Sequence, residues 1–372
     1  ITIDQALELA IENNASLKAS NLKIDEANAL VGSAFSFDKT SVYYHYDENN
    51  LAINNEPLKV FGISQDFRFP TVYFAQKKAN NAKASLERSN FDIQFQQIKE
   101  AVLSRYYQLS YEKSKARSYK YLDSLYDDFS KKAERRFELG ETNYLEMLTA
   151  KSKQKQLETL YMQAQQDVLY AKEKLKEVIQ IDAFNIIEQD LIKLDLETVS
   201  LESNLGLQHY ESSKLYFKAL HQIEKQDLLP DINLNYFQGS NGTLNDNLIG
   251  YQLGLKIPVL FSGNASKIKA SKIAQDIIDE EQLDYKLKLN AKYQSLLATL
   301  QKYNEAIIYY ETQGKKLSKE ILKTANRTFK EGEIDFFKYI QSIETAKDIE
   351  LSYLENLNAY NQTIIKINHL IL

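Results

Sequence analysis

The chain has 372 residues, a net charge of −5, 44% hydrophobic and 26% charged residues, and only 11 Gly and 4 Pro. So few breakers imply long uninterrupted elements, and the absence of a Pro- or Gly/Ser-rich linker argues against independent domains. Interspersed Lys and Glu under a net negative charge argue against a nucleic-acid partner, and the lack of Cys excludes disulfides and thiolate metal sites.

In chain order, Ala6, Leu7, Ala10, Ile11 and Leu17 recur at helical spacing behind the capping residues Thr2 and Asp4. They predict a helix from Thr2 to about Ala34. Two strand-like segments follow, at 41–47 and 58–69. Val42, Tyr44 and Tyr46 oppose Tyr43, His45 and Asp47, and then Phe61, Ile63, Phe67 and Phe69 oppose Gly62, Ser64, Asp66 and Arg68. A very long helix is predicted over 71–139, with Ile98, Val102, Tyr106, Leu109, Phe129, Ala133 and Phe137 forming an apolar stripe of coiled-coil type. At about 1.5 Å per residue it would span roughly 100 Å. Gly140 ends it, as a helix C-cap of positive φ, and a returning helix occupies 142–180.

The same order then recurs: a helix over 200–227, strands at 230–238 and 248–258, a long helix over 264–331 and a returning helix over 334–370. Ile232, Leu234 and Tyr236 oppose Asp231, Asn233 and Asn235, and Tyr251, Leu253, Leu255 and Ile257 oppose Gly250, Gln252, Gly254 and Lys256. Phe137-Glu-Leu-Gly140-Glu141 repeats as Phe329-Lys-Glu-Gly332-Glu333, 192 residues later, and at that offset Lys155, Glu158 and Tyr161 return as Lys347, Glu350 and Tyr353. The pairs Phe69-Pro70 and Ile257-Pro258 mark the starts of the long helices, with 70 residues from Pro to Gly in the first half and 74 in the second. The chain therefore reads as one unit written twice, 1–195 and 196–372. The first and returning helices of each half together match the long helix in length, so two short rods stacked end to end can flank one long one.

Alternation over about ten residues suits a transmembrane β-strand, with one face on lipid and the other on water. An ordinary amphipathic sheet packed on a helix shows the same pattern. Two considerations favour the membrane. The helices read as coiled-coil rods that leave nothing to cover a sheet, and four strands cannot close alone while lipid tolerates no open edge. Three copies would supply twelve strands around a water-filled pore. A membrane helix is excluded, because no stretch of about 18 apolar residues occurs. The start at Ile1, with neither Met nor leader, fits a signal peptide already removed.

Several segments resemble the TolC-type outer-membrane factors, and the likeness covers essentially the whole chain. They are Ile3 to Asn14, Leu229-Pro230-Asp231-Ile232-Asn233-Leu234, Ile257 to Asn264, Phe137 to Tyr144 and Phe329 to Phe336. The resemblance implies a mainly α chain of antiparallel coiled-coil helices, with four strands contributing to a trimeric twelve-stranded barrel. It implies an outer-membrane channel protomer of a tripartite efflux or secretion system in a Gram-negative bacterium, its helices extending into the periplasm as a tunnel. Implied partners are two further copies, outer-membrane lipid, a periplasmic adaptor protein and an inner-membrane pump. Phe137, Gly140, Glu141, Phe329, Gly332 and Glu333 become adaptor-contact residues, although Phe and Gly that merely build the turn account for them equally. The family narrows its tunnel beyond the second tip turn, sometimes with acidic side chains; here those positions hold Lys338 and Gln341, with Glu146 as the first-half counterpart. A Glu146–Lys338 pair holding the entrance closed is one reading, and solvated helix-face charges are the simpler one.

No enzyme is expected. His45, His209, His221 and His369 are scattered without zinc-site spacing, so no metal or cofactor is assigned. Gly239-Ser240-Asn241-Gly242 lies between strands and lacks a nucleophile elbow's spacing. The competing readings are a coiled-coil periplasmic scaffold and an adaptor protein, both without a pore. Which substrate is exported is not written in these residues.

Overall fold

The computed structural model describes residues 1–51, 55–187, 191–198, 200–241, 244–259 and 261–372. Gly242 and Leu260, which belong to two of the segments quoted above, lie outside them. Eight α-helices are described: α1 (Ile3–Asn13), α2 (Ala15–Gly32), α3 (Pro70–Glu138), α4 (Tyr144–Ile179), α5 (Leu205–Gln226), α6 (Ser262–Tyr309), α7 (Lys315–Lys330) and α8 (Phe336–Asn368). Four strands, β1 (Ser41–Leu51), β2 (Pro57–Phe67), β3 (Asp231–Asn241) and β4 (Leu244–Lys256), form one antiparallel sheet in the order β1-β2-β3-β4. The chain forms two compact units, residues 1–18, 93–204 and 287–372 in one, and 19–92 and 205–286 in the other. Helices α2, α3 and α6 contribute to both.

In the first unit the coiled-coil stripe is the core. Ile98, Val102, Tyr106, Leu109, Phe129 and Ala133 are all buried. Near the hairpin ends, Leu122, Tyr126 and Phe129 of α3 pack with Ala150 and Leu157 of α4, Ala325 of α7, and Phe336, Tyr339 and Ile343 of α8. Four helices thus share one apolar seam, each fully buried large side chain stabilising it by about 1.5–3 kcal/mol. Phe129 touches the rings of Phe329, Phe336 and Tyr339 at 5.8, 5.4 and 4.9 Å. Ion pairs Lys115–Asp167 and Lys153–Glu344, at 3.2 and 3.1 Å, join α3 to α4 and α4 to α8. Phe137 departs from the predicted stripe: it is exposed, because the stripe ends one turn before the tip.

The helix predicted from Thr2 to Ala34 is two helices, broken at Asn14. The Asn14 side chain caps α2 by accepting from the Ser16 and Leu17 amides at 3.1 and 3.2 Å, and its amide donates to the Val178 carbonyl at 3.0 Å. Gln180, at φ 52°, ends α4 and accepts from the Ala15 amide at 2.8 Å. Asn preference for a cap overrides the apolar periodicity here. The second half repeats the clamp, since Asn204 precedes α5 and donates to the Leu370 carbonyl at 2.6 Å. Helix α5 therefore starts at Leu205 rather than Ser200, behind a 3₁₀ turn at Leu201–Ser203.

The long helix predicted over 264–331 is interrupted by a π turn at Tyr310–Gly314. Tyr310 stacks on Tyr353 of α8 with centroids 3.9 Å apart, and a Cβ at Gly314 would meet Tyr310 at 3.2 Å and Ile349 at 3.3 Å. That close approach to α8 goes with the local widening. The four extra residues of the second half do not lie in the helix. Helix α3 starts at Pro70 itself, whereas α6 starts four residues after Pro258.

Residues 191–198, between α4 and α5, form an extended strap along α8. Asn361, fully buried, accepts from the Leu194 amide at 3.0 Å and donates to the Ile192 carbonyl at 2.7 Å, pairing with the strap as a strand would. Leu191 packs with Ile307, Leu357 and Ile364 beneath it. At the C-terminal end of α8, His369 is buried with its Nδ1 2.7 Å from the Gln96 side-chain nitrogen of α3. Burial, reinforced by Lys99 and opposed by Glu197, lowers its imidazole to about 4.

In the second unit the sheet register is regular except between Asp47 and Leu51 of β1 and between Gly239 and Asn241 of β3. Rows run Val42–Ile63–Tyr236–Tyr251 and Tyr44–Phe61–Gln238–Ile249 on one face, and Ser41–Ser64–Asn235–Gln252 and Tyr43–Gly62–Phe237–Gly250 on the other. The strands extend beyond several expected ends. Gly239, Ser240 and Asn241, read from sequence as loop, belong to β3, whose pairing with β4 shifts register between Gly239 and Asn241.

Candidate functional site

The sheet presents two chemically distinct faces. On the apolar face, Val42, Tyr44, Phe61, Ile63, Leu234 and Tyr236 are exposed, and Tyr251 and Leu253 are 81% and 72% exposed. This face is not packed against the chain's own helices, so the reading of an amphipathic sheet buried within the protein does not hold. The row extends past the end of β4 through Leu255, Ile257, Val259 and Phe261, at 60%, 60%, 80% and 53% exposure. Phe35, Phe37 and Phe74, also exposed, gather around Tyr73 or each other where the strands give way to helix; Phe37 meets Phe67 at 5.5 Å and Tyr73 at 5.3 Å. A contiguous apolar patch of this kind marks a surface meant for contact.

The opposite face is polar. Asn233 donates to Ser64 and Asp66 at 3.0 and 2.8 Å, and Lys256 pairs with Asp66 at 2.7 Å. The Tyr43 hydroxyl donates to Asn235 at 3.0 Å. One row is built of rings lying over glycines. A Cβ on Gly62 would stand 2.3 Å from the Tyr43 ring, and one on Gly250 2.3 Å from the Phe237 ring. Each ring thus replaces the side chain its neighbour lacks. Towards the turn end, Leu58, Val60 and Leu248 fall on this face as well, an apolar stretch that the alternation from Lys59 to Phe69 does not announce.

The helix hairpins turn alike. Gly140 and Gly332 have φ of 72° and 75°. The Glu141 amide donates to the Arg136 carbonyl and the Gly140 amide to Phe137, both at 2.9 Å; Glu333 to Thr328 and Gly332 to Phe329, at 2.9 and 3.2 Å, repeat the pattern. This is the Schellman closure, which needs the left-handed residue. Asn143 and Asp335 then cap the returning helices, accepting from the Glu146 and Lys338 amides at 2.9 and 2.8 Å. Glu146 and Lys338 consequently occupy the same position of two helices.

The nine residues singled out from sequence are not all placed alike. Phe137, Gly140, Glu141, Gly332 and Glu333 lie exposed at the tips. Phe329 does not present its ring outward: it stacks on Tyr339 at 4.5 Å within the tip core. Lys338 and Gln341 share a groove of about 630 Å³ between α7 and α8, with Ile321 and Ile334. Glu146 stands apart from it. Its carboxylate accepts from the Thr142 hydroxyl, and among the described residues it forms no ion pair with Lys338 in the chain. Sequence reading passed over the exposed apolar tip residues Leu139, Tyr144, Leu145 and Phe337; the matching of Leu145 with Phe337 at the repeat offset was the available signal. Among the described residues no three His, Asp or Glu side chains come together as metal donors, and no helix is long and apolar enough to cross a membrane.

Similar architecture occurs in solved structures. The chain matches the CmeC outer membrane channel of Campylobacter jejuni with a TM-score of 0.80 and 13% identity, over 99% of this chain and 84% of that one. It matches a membrane protein from Pseudomonas aeruginosa with a TM-score of 0.82 and 12% identity, over 99% and 92%. The open state of the MtrE outer membrane channel of Neisseria gonorrhoeae gives 0.79 and 12%, over 99% and 88%. No protein-family model and no curated protein matches the sequence. At such identities the likeness establishes the fold. That fold, helix-dominated with four strands per chain, is the one the sequence resemblance implied.

Proposed function

We propose that the chain is one protomer of a trimeric outer-membrane channel, a passive conduit in an efflux or secretion system. The observation that carries this is the sheet: one face exposed and apolar, the other polar, with both outer strands, β1 and β4, left without a further neighbour among the described residues. Lipid requires every backbone donor and acceptor to be paired, so the edges must join those of other copies. Twelve strands from three chains close around a wet interior lined by Ser64, Asp66, Asn233, Asn235 and Gln252. The fold shared with CmeC and MtrE, both outer membrane channels, supports the same reading.

Within it, the strands of both halves form the barrel and the helical hairpins of 1–195 and 196–372 form a periplasmic tunnel. The tips then meet a periplasmic adaptor that couples the channel to an inner-membrane pump. Phe137, Gly140, Glu141, Gly332 and Glu333 supply the contact, joined by Leu145 and Phe337, while Phe329 supports the turn from beneath. Lys338, Gln341 and Glu146 face the entrance, where three copies of each set its charge. Mass in detergent and conductance in a planar bilayer test the proposal together. A trimer giving discrete channel openings is expected, and a monomer soluble in plain buffer without conductance would overturn it.

A further inference from the structure

On the membrane reading just given, the apolar row of β4 raises a question about where it ends. Past Lys256 it continues through Ile257 and Val259 to Phe261, which forms part of the wall of a groove of about 970 Å³ between α5 and α6. Leu228 and Ile273 complete the apolar wall, and Lys225, Lys269 and Lys272 rim it. Lys272 pairs with Asp276 at 2.8 Å, whereas Lys225 and Lys269 have no acidic partner among the described residues. All three lysines line the same groove. Beneath them His221 is buried, its Nδ1 2.8 Å from the Ser271 hydroxyl. Burial and the charges of Lys225 and Lys272 together hold its imidazole below the usual range.

An apolar track that leaves the lipid-facing strand and ends among uncompensated cations fits an amphiphile with an acyl chain and an anionic head. We infer that this groove binds an anionic glycerophospholipid of the periplasmic leaflet, its phosphodiester between Lys225 and Lys269 and an acyl chain against Phe261 and Ile273. The position favours a lipid over a free anion. The groove adjoins the entry to β3 at Leu228 and the exit of β4, where a bilayer surface would lie, and exposed Phe35, Phe37 and Phe74 mark the same level at the start of α3. Juxtamembrane lysines gain affinity from such head groups.

Native mass spectrometry of the detergent-extracted full chain tests the assignment, with phosphatidylglycerol, phosphatidylcholine of the same chains, and inorganic phosphate as probes. Phosphatidylglycerol should be retained in preference to phosphatidylcholine. The Lys225→Gln/Lys269→Gln pair should bind it about 25-fold more weakly, roughly fivefold per lysine, with trimer mass and conductance unchanged. Should the pair not assemble, Lys269→Gln alone, on an exposed helix face, should show the single roughly fivefold step. Phe261→Ser should weaken both lipids. Equal retention of the two lipids, displacement of phosphatidylglycerol by equimolar phosphate, or undiminished binding by the lysine variants would overturn the inference. Failure of the channel reading would show separately, as loss of the trimer mass in the unsubstituted protein.

Discussion

At Gly62 and Gly250 a hydrogen stands where any other residue would set carbon against an aromatic ring. Because the rings of Tyr43 and Phe237 come from adjacent strands, a new Cβ at 2.3 Å forces the ring off the sheet and overpacks the row. Gly62→Ala should therefore cost about 1–3 kcal/mol, seen as a lower melting temperature of the purified protein, and Tyr43→Ser in the same chain should recover most of it. His369 makes a different demand. Its folded pKa of about 4 lies below the ordinary histidine value of 6.5, so between those limits the unfolded chain binds the extra proton. Stability should be full above about pH 6.5 and decline by up to about 3 kcal/mol as pH falls towards 4. Denaturant titrations across that range should flatten in His369→Gln, which keeps a polar group beside Gln96. Asn361 serves both the Ile192 carbonyl and the Leu194 amide, and Asn361→Ala should cost about 1–3 kcal/mol by leaving these part-buried groups unpaired.

Among the elements, strands and hairpin turns were the most legible in sequence. A period of two survives unaltered when one face meets lipid and the other water, and Gly140 and Gly332 announce positive φ because few other residues accept it. What stayed hidden depends on partners remote in the chain. Asn14 sits inside an unbroken helical pattern, and only the Val178 carbonyl and Gln180 reveal it as a cap. The π turn at Tyr310–Gly314 rests on Tyr353, and no local signal marks it. Phe329 occupies the same motif position as Phe137, yet one ring is packed inward and the other exposed, a difference set by Phe129 and Tyr339. Since nothing lies within 4 Å of a Cβ added at Gly140 or Gly332, their substitution acts through backbone alone. Each Gly→Ala should cost about 1 kcal/mol in thermal stability without abolishing binding of the proposed adaptor, whereas Leu145→Asp with Phe337→Asp should abolish that binding in a pull-down and leave stability nearly unchanged.

At the level of the whole molecule, threefold repetition multiplies any charge placed on the proposed pore. In the proposed trimer Lys338→Glu would exchange three positive charges for three negative ones at the entrance, so the reversal potential in a salt gradient should shift towards cation preference. An unmoved reversal potential would assign Lys338 to a solvated helix face instead. The open edges of the sheet carry a further consequence. A lone chain cannot settle in hydrocarbon with β1 and β4 unjoined, so entry into the bilayer and association must occur as one cooperative event. In the proposed trimer, a cell making intact and edge-crippled chains in equal amounts would then complete only about one in eight of its pores from sound parts. Damage to a single strand would behave genetically as dominant.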